Sequence, residues 1–193
     1  MKKGLLIILS GPSGVGKGTL RKQLMNDKSL NLVFSVSMTT RPIRDKEVDG
    51  VDYYFVSKEQ FDDNLARGNF LEHCEFVGNC YGTPKDKVEE LRNSGKNVLL
   101  EIEINGATQV MSKVKDEGVI SIFLMPPSLE ALEERIRKRK SETEEVIQKR
   151  LIKGANEMLM ASNYDYVVLN DHIKNATDKA REIIKNKIEE LNK

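Results

Sequence analysis

Cysteine is scarce in this 193-residue sequence, which contains only Cys74 and Cys80. The two thiols are six positions apart, and His73 precedes the first of them. Two thiols and one imidazole at this spacing match no common zinc-binding pattern. We therefore expect two free thiols in a reducing compartment, where no structural disulfide forms.

An excess of charge of either sign is also missing. The chain has 31 lysines and arginines against 30 aspartates and glutamates, so its formal net charge is only +1. Without a global electrostatic field, the surface as a whole does not attract nucleic acid or an anionic membrane, and any basic patch is local. We expect neither of these partners. The sequence leaves the choice between a monomer and a homo-oligomer open.

Long apolar runs are absent as well. No run approaches the length that crosses a bilayer, and MKK followed by LLIIL is too short for the apolar region of a signal peptide. We therefore expect a cytoplasmic protein. The chain has no internal repeat, low-complexity tract or linker, and its length suits one domain with one hydrophobic core.

The stretch GPSGVGKGT, residues 11–19, lies between an apolar run typical of a strand and a segment with the apolar spacing of a helix. Its three glycines allow the backbone to wrap into a concave loop. The N–H groups of such a loop, the start of the following helix and Lys17 together form a site for phosphate. An ordinary glycine-rich turn is the alternative, but the flanking strand and helix favour phosphate binding.

The loop differs at one position from the phosphate-loop pattern G-x-x-x-x-G-K-[ST]. Gly18 stands at the final position, and the hydroxyl comes one residue later, at Thr19. A side chain at the final position normally contacts Mg²⁺. We therefore expect no direct metal ligand from the protein, and an ion held mainly by ATP phosphates and water.

Five apolar runs alternate with segments of helical spacing, which predicts a parallel sheet with helices on both faces. The predicted strands cover residues 5–9, 32–37, 98–104, 119–125 and 166–169. A single helix is predicted at the C-terminus, where apolar residues recur from Ile173 to Leu191.

Helix boundaries are marked by capping residues. Ser57 with Gln60, and Ser141 with Glu144, fit the capping-box pattern, while Pro84 fits the first position of a helix that Gly95 ends.

Two segments interrupt the regular alternation. Residues 36–83 are too many for a plain strand-to-helix connection and include β-like pieces such as VDYYFV, so we interpret them as an inserted binding region. Residues 133–153 predict a charged pair of helical segments joined near Lys140 and Ser141. A solvated surface helix is the alternative for the second segment.

Several segments together resemble the guanylate kinases. These are GPSGVGKGT, FSVSMTTR, DYYFV, FLEHCEFVGNCYGTP, NVLLEIEINGA and YDYVVLND, which occur in this order over essentially the whole chain. The phosphate loop alone names only a superfamily, whereas the SVSxTTR and YGTP segments are specific.

The resemblance implies transfer of the γ-phosphoryl group of ATP to GMP, and to dGMP, with Mg²⁺ as cofactor. It also implies an α/β fold with a five-stranded parallel sheet. The expected divisions are a core of residues 1–35, 84–130 and 156–193, a GMP-binding insert of residues 36–83 and a lid of residues 131–155.

The resemblance also implies the site residues, each at the position that matches the family motif. Those expected to act in catalysis are Lys17, Arg41, Arg139 and Arg150. Those expected to bind ATP are Gly11, Pro12, Ser13, Gly14, Val15, Gly16, Lys17, Gly18, Thr19, Arg135 and Asn170. Those expected to bind GMP are Ser37, Arg41, Arg44, Tyr53, Glu72, Tyr81, Thr83 and Glu103.

Physical chemistry agrees with the GMP-binding set. Guanidinium groups such as those of Arg41 and Arg44 suit a phosphate dianion, because they donate two hydrogen bonds at once. Guanine presents N1–H and a 2-amino group as donors, which the carboxylates of Glu72 and Glu103 accept, and its O6 accepts from a hydroxyl such as that of Thr83. Alone, each of these residues reads as a solvated surface residue or a packed strand aromatic.

The sequence departs from the family pattern at several of these places. Lys46 stands where a glycine is usual, and Arg41-Pro42-Ile43-Arg44 shifts the usual order of arginine and proline. Glu103 replaces an aspartate. Lys138 and Lys140 replace the glycines that usually flank the middle lid arginine.

Two other functions compete with this interpretation. Guanylate-kinase-like binding modules lack catalysis, but their phosphate loop is degraded and they occur inside longer chains, whereas this sequence begins at the first strand and ends with the last helix. A kinase for AMP, UMP or CMP is the other, and Glu72 and Glu103 disfavour it because they suit guanine. We therefore expect a guanylate kinase.

Overall fold

Nine β-strands and seven α-helices form within residues 2–76, 78–138 and 143–193, the parts of the chain that the computed structural model describes. The strands are β1 (Leu6–Ser10), β2 (Leu32–Phe34), β3 (Met38–Thr39), β4 (Tyr54–Phe55), β5 (Phe70–Phe76), β6 (Asn79–Pro84), β7 (Asn97–Glu101), β8 (Val119–Met125) and β9 (Tyr166–Leu169). The helices are α1 (Lys17–Met25), α2 (Lys58–Ala66), α3 (Lys85–Asn93), α4 (Ile104–Lys113), α5 (Leu129–Arg137), α6 (Glu144–Met158) and α7 (Ile173–Asn192).

The core is a five-stranded parallel sheet in the order β2-β7-β1-β8-β9, which confirms the predicted fold class. The central strand β1 is buried along its whole length and pairs with β7 and β8. A strand covered on both faces reads as a continuous apolar run, and LIIL in β1 is such a run.

Alternate residues in β1 and directly before it separate the core into two layers. Leu5, Ile7 and Leu9 pack in the layer that includes buried residues of α1, α6 and α7, whereas Leu6 and Ile8 pack in the layer that includes those of α3 and α4. Burial of each leucine or isoleucine side chain stabilises the folded state by about 1.5–3 kcal/mol. Burial on both faces therefore holds β1 in place, and the loop that follows β1 starts from a rigid strand.

A second sheet, in the order β4-β3-β6-β5, lies within the segment predicted to be an insert. Strands β5 and β6 form an antiparallel pair, and β3 joins β6 to β4. Helix α2 precedes β5, and its predicted capping box between Ser57 and Gln60 is confirmed.

Several predicted boundaries need correction. Pro84 is the N-cap of α3 rather than its first residue. The predicted strand 98–104 ends at Glu101, because Ile104 packs as the first residue of α4. Helix α6 begins after an N-cap at Thr143, whereas the capping box was predicted at Ser141, which lies outside the described residues. The predicted junction at Lys140 and Ser141 lies outside them too.

Within the described ranges, no helix combines the length and the apolarity needed to cross a membrane.

Candidate active site

The predicted phosphate-binding loop after β1, residues 11–19, has the conformation that its glycines predict. Gly11, Gly14 and Gly16 have φ angles of 141°, 93° and 106°, a region that side chains disfavour. Helix α1 begins at Lys17, directly after the loop. The loop borders a cleft of about 450 Å³, lined by Ser13, Gly14, Gly16, Lys17, Gly18, Thr19, Arg21, Lys22 and Glu101.

Lys17 is held inside its own loop. Its Nζ donates to the carbonyl oxygens of Gly11 at 2.6 Å and Pro12 at 3.1 Å. Burial lowers the pKa of Lys17, while the negative charges of Glu101 and Glu157 oppose that change. The Lys17 ammonium group therefore already lies against the loop in which a phosphate would bind.

Glu101 and Arg21 are site residues that sequence reasoning missed. The Nε of Arg21 lies 2.9 Å from Oε2 of Glu101, and the guanidinium stacks 4.2 Å from the ring centroid of Phe34. The missed signal is Glu101 itself, at the carboxyl end of β7, because ligands of open α/β sheets bind at those ends.

A magnesium ion suits the oxygen donors beside this loop. The Cβ position of Gly18 is 3.7 Å from Oε1 of Glu101, so the absent Ser/Thr side chain leaves its place next to a carboxylate. Carboxylates, hydroxyls, phosphates and water are the ligands that Mg²⁺ prefers. Among the described residues, no group of three or more His, Cys, Asp or Glu is arranged to hold a metal ion. The donors therefore fit an ion that shares its coordination with phosphates and water.

Arg41 is engaged by a carboxylate in the insert. Its guanidinium donates to both oxygens of Glu47, at 2.8 and 3.0 Å, and the backbone N–H of Arg44 donates to the same group at 2.8 Å. The hydrogen bonds that Arg41 donates to Glu47 raise the pKa of Arg41 and lower the pKa of Glu47. No feature of the sequence predicts that Glu47 pairs with Arg41.

Aromatic rings surround the same arginine. The guanidinium carbon of Arg41 lies 5.5 Å from the ring centroid of Tyr53 and 5.6 Å from that of Phe55. The rings of Tyr53 and Tyr81 meet edge to face, with centroids 6.0 Å apart. The fold therefore brings Arg41, Tyr53 and Tyr81 together, and Ser37 directly precedes β3 of the same sheet.

Glu72 and Thr83 face each other across β5 and β6. The hydroxyl of Thr83 donates to Oε1 of Glu72 at 2.5 Å, and the two residues are 0% and 5% exposed, respectively. Burial raises the pKa of Glu72, while the hydrogen bond from Thr83 opposes that increase. A buried carboxylate with one oxygen bound to a hydroxyl keeps capacity for further donors.

Glu103, the third predicted base-reading residue, is exposed at the N-cap of α4. Its Oε2 lies 3.1 Å from Nζ of Lys153 on α6. A cleft of about 680 Å³ separates the start of α4 from α6, and both residues line it.

The predicted lid arginines lie in different environments. Arg150 of α6 donates to the Ser13 hydroxyl in the loop at 2.7 Å. Arg135 of α5 donates to the carbonyl oxygens of Val15 at 3.2 Å and Asn170 at 2.6 Å. Arg139 lies outside the described residues.

Asn170 is buried below the loop. Its Nδ2 donates to the carbonyl oxygen of Val15 at 2.7 Å, and its Oδ1 has no hydrogen-bond partner among the described residues. Asn170 and Arg135 thus both hold the carbonyl oxygen of Val15, a contact that nothing in the sequence indicates.

Glu157 is another residue that the sequence did not indicate. It lies on α6 and lines the cleft beside Glu103. Its negative charge raises the pKa of Lys17. Burial raises the pKa of Glu157.

The two cysteines are free thiols, as predicted. They lie on the paired strands β5 and β6, and burial raises the pKa of Cys74 to about 11. A thiol with so high a pKa is a poor nucleophile at neutral pH.

Comparison with known proteins identifies the family. The family model described as "Guanylate kinase" matches residues 3–187. The chain belongs to the guanylate kinase family. The predicted membership of this family is therefore confirmed.

Relatives named guanylate kinase match most of the chain. The protein from Mesoplasma florum is 52% identical over 182 residues, which are 94% of this chain and 61% of the relative. The protein from Malacoplasma penetrans is 48% identical over 187 residues, which are 97% of this chain and 95% of the relative. The chain thus spans less than two thirds of one relative and nearly all of the other.

A solved structure has the same fold. The crystal structure of guanylate kinase from Anaplasma phagocytophilum has a TM-score of 0.74 and 35% sequence identity to this chain, and the match covers 96% of this chain and 87% of that one.

Proposed function

We propose that the chain transfers the γ-phosphoryl group of ATP to GMP, giving ADP and GDP, and that it accepts dGMP at the same site. The buried Glu72–Thr83 pair carries this proposal. When guanine binds, the Thr83 hydroxyl exchanges its bond to Glu72 for one to O6, and the Glu72 carboxylate then accepts from N1–H and the 2-amino group. Adenine, with no N1–H and no 2-amino group, offers Glu72 no comparable pair of donors.

The donor side of the reaction belongs to the loop of residues 11–19. Lys17 exchanges its bonds to Gly11 and Pro12 for oxygens of the ATP phosphates, and the loop N–H groups hold the same phosphates. Phosphoryl transfer asks for positioning and charge neutralisation more than for covalent chemistry, so a fixed ammonium at this point is the main contribution of the loop.

The acceptor phosphate of GMP binds to Arg41, Arg44, Ser37, Tyr53 and Tyr81. The clustering of Arg41 with the two tyrosine rings supports this assignment. Two guanidinium groups and three hydroxyls orient a phosphate dianion and leave one of its oxygens free to attack.

The lid contributes arginines to the transferred group. Arg150 already reaches the loop at Ser13, which supports its action on the phosphates, and Arg139 is assigned the same role. Arg135 and Asn170 belong to the ATP side, where they hold Val15. Closure of the lid also excludes water, which otherwise hydrolyses ATP.

When bound, Mg²⁺ neutralises charge on the ATP phosphates. Glu101 is the residue of this chain that would hold it through coordinated water, and Thr19 adds a hydroxyl beside the same cleft. The ion pair with Arg21 keeps the Glu101 carboxylate beside this cleft.

We propose three functional parts, each defined by ranges of the chain. Residues 1–35, 84–130 and 156–193 form the core, residues 36–83 the GMP-binding insert, and residues 131–155 the lid. The separate sheet of β3 to β6 supports the insert, and the α5 and α6 pair supports the lid. ATP and GMP are cytoplasmic nucleotides, so we propose a cytoplasmic location.

An ADP-release assay with GMP, dGMP, AMP, UMP and CMP as acceptors tests this function. We expect turnover with GMP and dGMP and at least tenfold lower efficiency with the other three, because each leaves buried polar groups of the site unpaired. The Lys17→Ala protein controls for a contaminating kinase. A purified chain that binds GMP without releasing ADP is a binding module, and equal use of AMP contradicts the guanine pocket.

A further inference from the structure

Helix α4 presents one face to the free edge of the insert sheet. Gly106, Gln109 and Lys113 are spaced by three and four positions, so they lie on the same side of the helix. Strand β5 is the last strand in the order β4-β3-β6-β5, so β6 pairs with only one of its two edges. The other edge of such a strand carries backbone groups that need partners.

Gln109 pairs with the backbone of His73 in β5. The N–H of His73 donates to Oε1 of Gln109 at 3.1 Å, and Nε2 of Gln109 donates to the carbonyl oxygen of His73 at 2.9 Å. A side-chain amide has one acceptor and one donor group, so Gln109 makes the same two bonds that a neighbouring strand would make. Neither a carboxylate nor an apolar side chain of similar size provides both.

Lys113 binds the backbone of the same strand at Leu71, two residues before His73. The register between β5 and β6 shifts between Phe70 and Glu72, which marks a bulge around Leu71. Bulges leave backbone groups unpaired and redirect the following side chain. The Nζ of Lys113 donates to the Leu71 carbonyl oxygen at 2.9 Å, so α4 supplies the partner at this point as well.

Glu72 lies between these two anchored residues, and its carboxylate packs against α4. A Cβ atom added at Gly106 would lie 2.8 Å from Oε2 of Glu72 and 3.2 Å from its carboxyl carbon. The absence of a side chain at Gly106 therefore leaves the space that the carboxylate occupies.

We propose that Gln109 is a positioning residue for base selection, which acts by fixing the His73 backbone and thereby the position of the Glu72 carboxylate. The inference rests on the proposed function, in which Glu72 reads guanine. The Glu72 carboxylate must face both N1–H and the 2-amino group of guanine. A small displacement of the carboxylate therefore matters, because a hydrogen bond weakens steeply when its donor or acceptor moves out of line. Helix α4 is thus part of the specificity apparatus, although Gln109 itself contacts no nucleotide.

Gln109→Leu removes both bonds to His73 and keeps a similar volume. Steady-state kinetics with GMP and with inosine monophosphate, which lacks the 2-amino group, measures the effect on Glu72. We expect the KM for GMP to rise about tenfold and the preference for GMP over inosine monophosphate to fall by a similar factor. The KM for ATP and the kcat at saturating GMP stay within about twofold of the wild type, because the phosphate contacts are untouched.

Three variants of the same helix serve as comparisons. Ser112→Ala removes an exposed hydroxyl that donates to the backbone carbonyl oxygen of Gln109 within α4, and we expect wild-type kinetics. Gln109→Glu keeps the acceptor for the His73 N–H but loses the donor, so it gives an intermediate loss of GMP preference. Gly106→Ala crowds the carboxylate directly and lowers GMP preference without removing any hydrogen bond.

A double-mutant cycle with Glu72→Gln separates the inference from the function beneath it. If Gln109 acts through Glu72, Gln109→Leu adds little to the loss already caused by Glu72→Gln. If Glu72→Gln alone leaves GMP use unchanged, the guanine pocket is wrong. If Glu72→Gln lowers GMP preference but Gln109→Leu and Gln109→Glu do not, only the positioning role is overturned. Equal losses with both nucleotides, additive to Glu72→Gln and accompanied by a lower kcat, also overturn it, because they indicate a purely structural residue.

Discussion

The hydroxyl oxygen of Thr83 lies 2.5 Å from Oε1 of Glu72, and both residues are buried on the paired strands β5 and β6. Burial raises the pKa of Glu72 above its ordinary value of 4.5, and the bond from Thr83 works against that rise. Only the ionised carboxylate accepts both guanine donors, so acidification weakens GMP recognition before it titrates an exposed glutamate.

The first prediction concerns the pH dependence of kcat/KM for GMP. We expect an acidic limb with an apparent pKa above 4.5, and Thr83→Val should move this limb to higher pH, because the isosteric change removes a bond that favours the ionised form. Glu72→Gln should lack the limb and keep only the ionisation of the GMP phosphate. An unchanged limb in Thr83→Val would contradict the coupling of the two residues.

The second prediction concerns Lys17. Lys17→Ala should lower kcat by about three orders of magnitude or more, with little change in GMP affinity, because its charge is most useful as negative charge shifts in the transition state. Turnover and GMP titration on the same preparation measure the two quantities. Near-normal turnover in the purified variant would remove Lys17 from the proposed mechanism.

The third prediction concerns Lys46, which has a φ of 72° although the position suits glycine. A side chain in this region costs about 1–2 kcal/mol, and glycine gives back about 0.5–1 kcal/mol through its greater freedom in the unfolded chain. Lys46→Gly should therefore raise the free energy of unfolding by about 0.5–1 kcal/mol. Lys115→Gly, at an exposed loop position with negative φ, should lower it; the same sign for both variants in urea titrations would refute the argument.

The fourth prediction concerns Arg92, which is 0% exposed and lies at the amino ends of the core strands. It donates to the carbonyl oxygens of Gly4 and Gly118 and to both oxygens of Asp116. Arg92→Met should lower the free energy of unfolding by about 3 kcal/mol, because one buried carbonyl oxygen and several partly buried acceptors lose their donor.

The control for Arg92 is Lys3, which pairs with Glu89 and Asp116 from an exposed position. Lys3→Ala should cost less than about 1 kcal/mol, as exposed ion pairs do. Both variants should keep wild-type kcat, since the nucleotide cleft is at the opposite ends of the strands. Comparable losses of stability in the two variants would contradict the role of burial.

Residue type and periodicity were sufficient to predict the features that depend only on residues close together in the sequence. The conformation of Gly11, Gly14 and Gly16 and the run of β8 follow from residue type and periodicity, and both are confirmed. The assignment of Glu72 and Thr83 to one guanine pocket came from the family motif rather than from periodicity, and the hydrogen bond between them was not predicted.

Contacts between distant segments were not predictable in this way. Glu157 acts on Lys17 from 140 positions away, because α6 returns over the loop, and no periodicity indicates such a return. Glu47 binds Arg41 through a turn at Lys46, where the family pattern suggested only an altered loop shape. The bonds from Gln109 to His73 depend on which strand of the second sheet lies at its edge, and the sequence does not specify that order.

The bidentate bond between Arg41 and Glu47 makes the insert responsive to the charge of its ligand. A phosphate dianion that reaches Arg41 exchanges with a carboxylate that the chain itself supplies, rather than with a shell of water. In the proposed function, release of Glu47 also frees the backbone N–H of Arg44, and we expect the turn to change shape when the exchange takes place. A nucleoside without phosphate leaves this internal anion in position, and the insert then keeps its resting conformation whatever base the nucleoside carries.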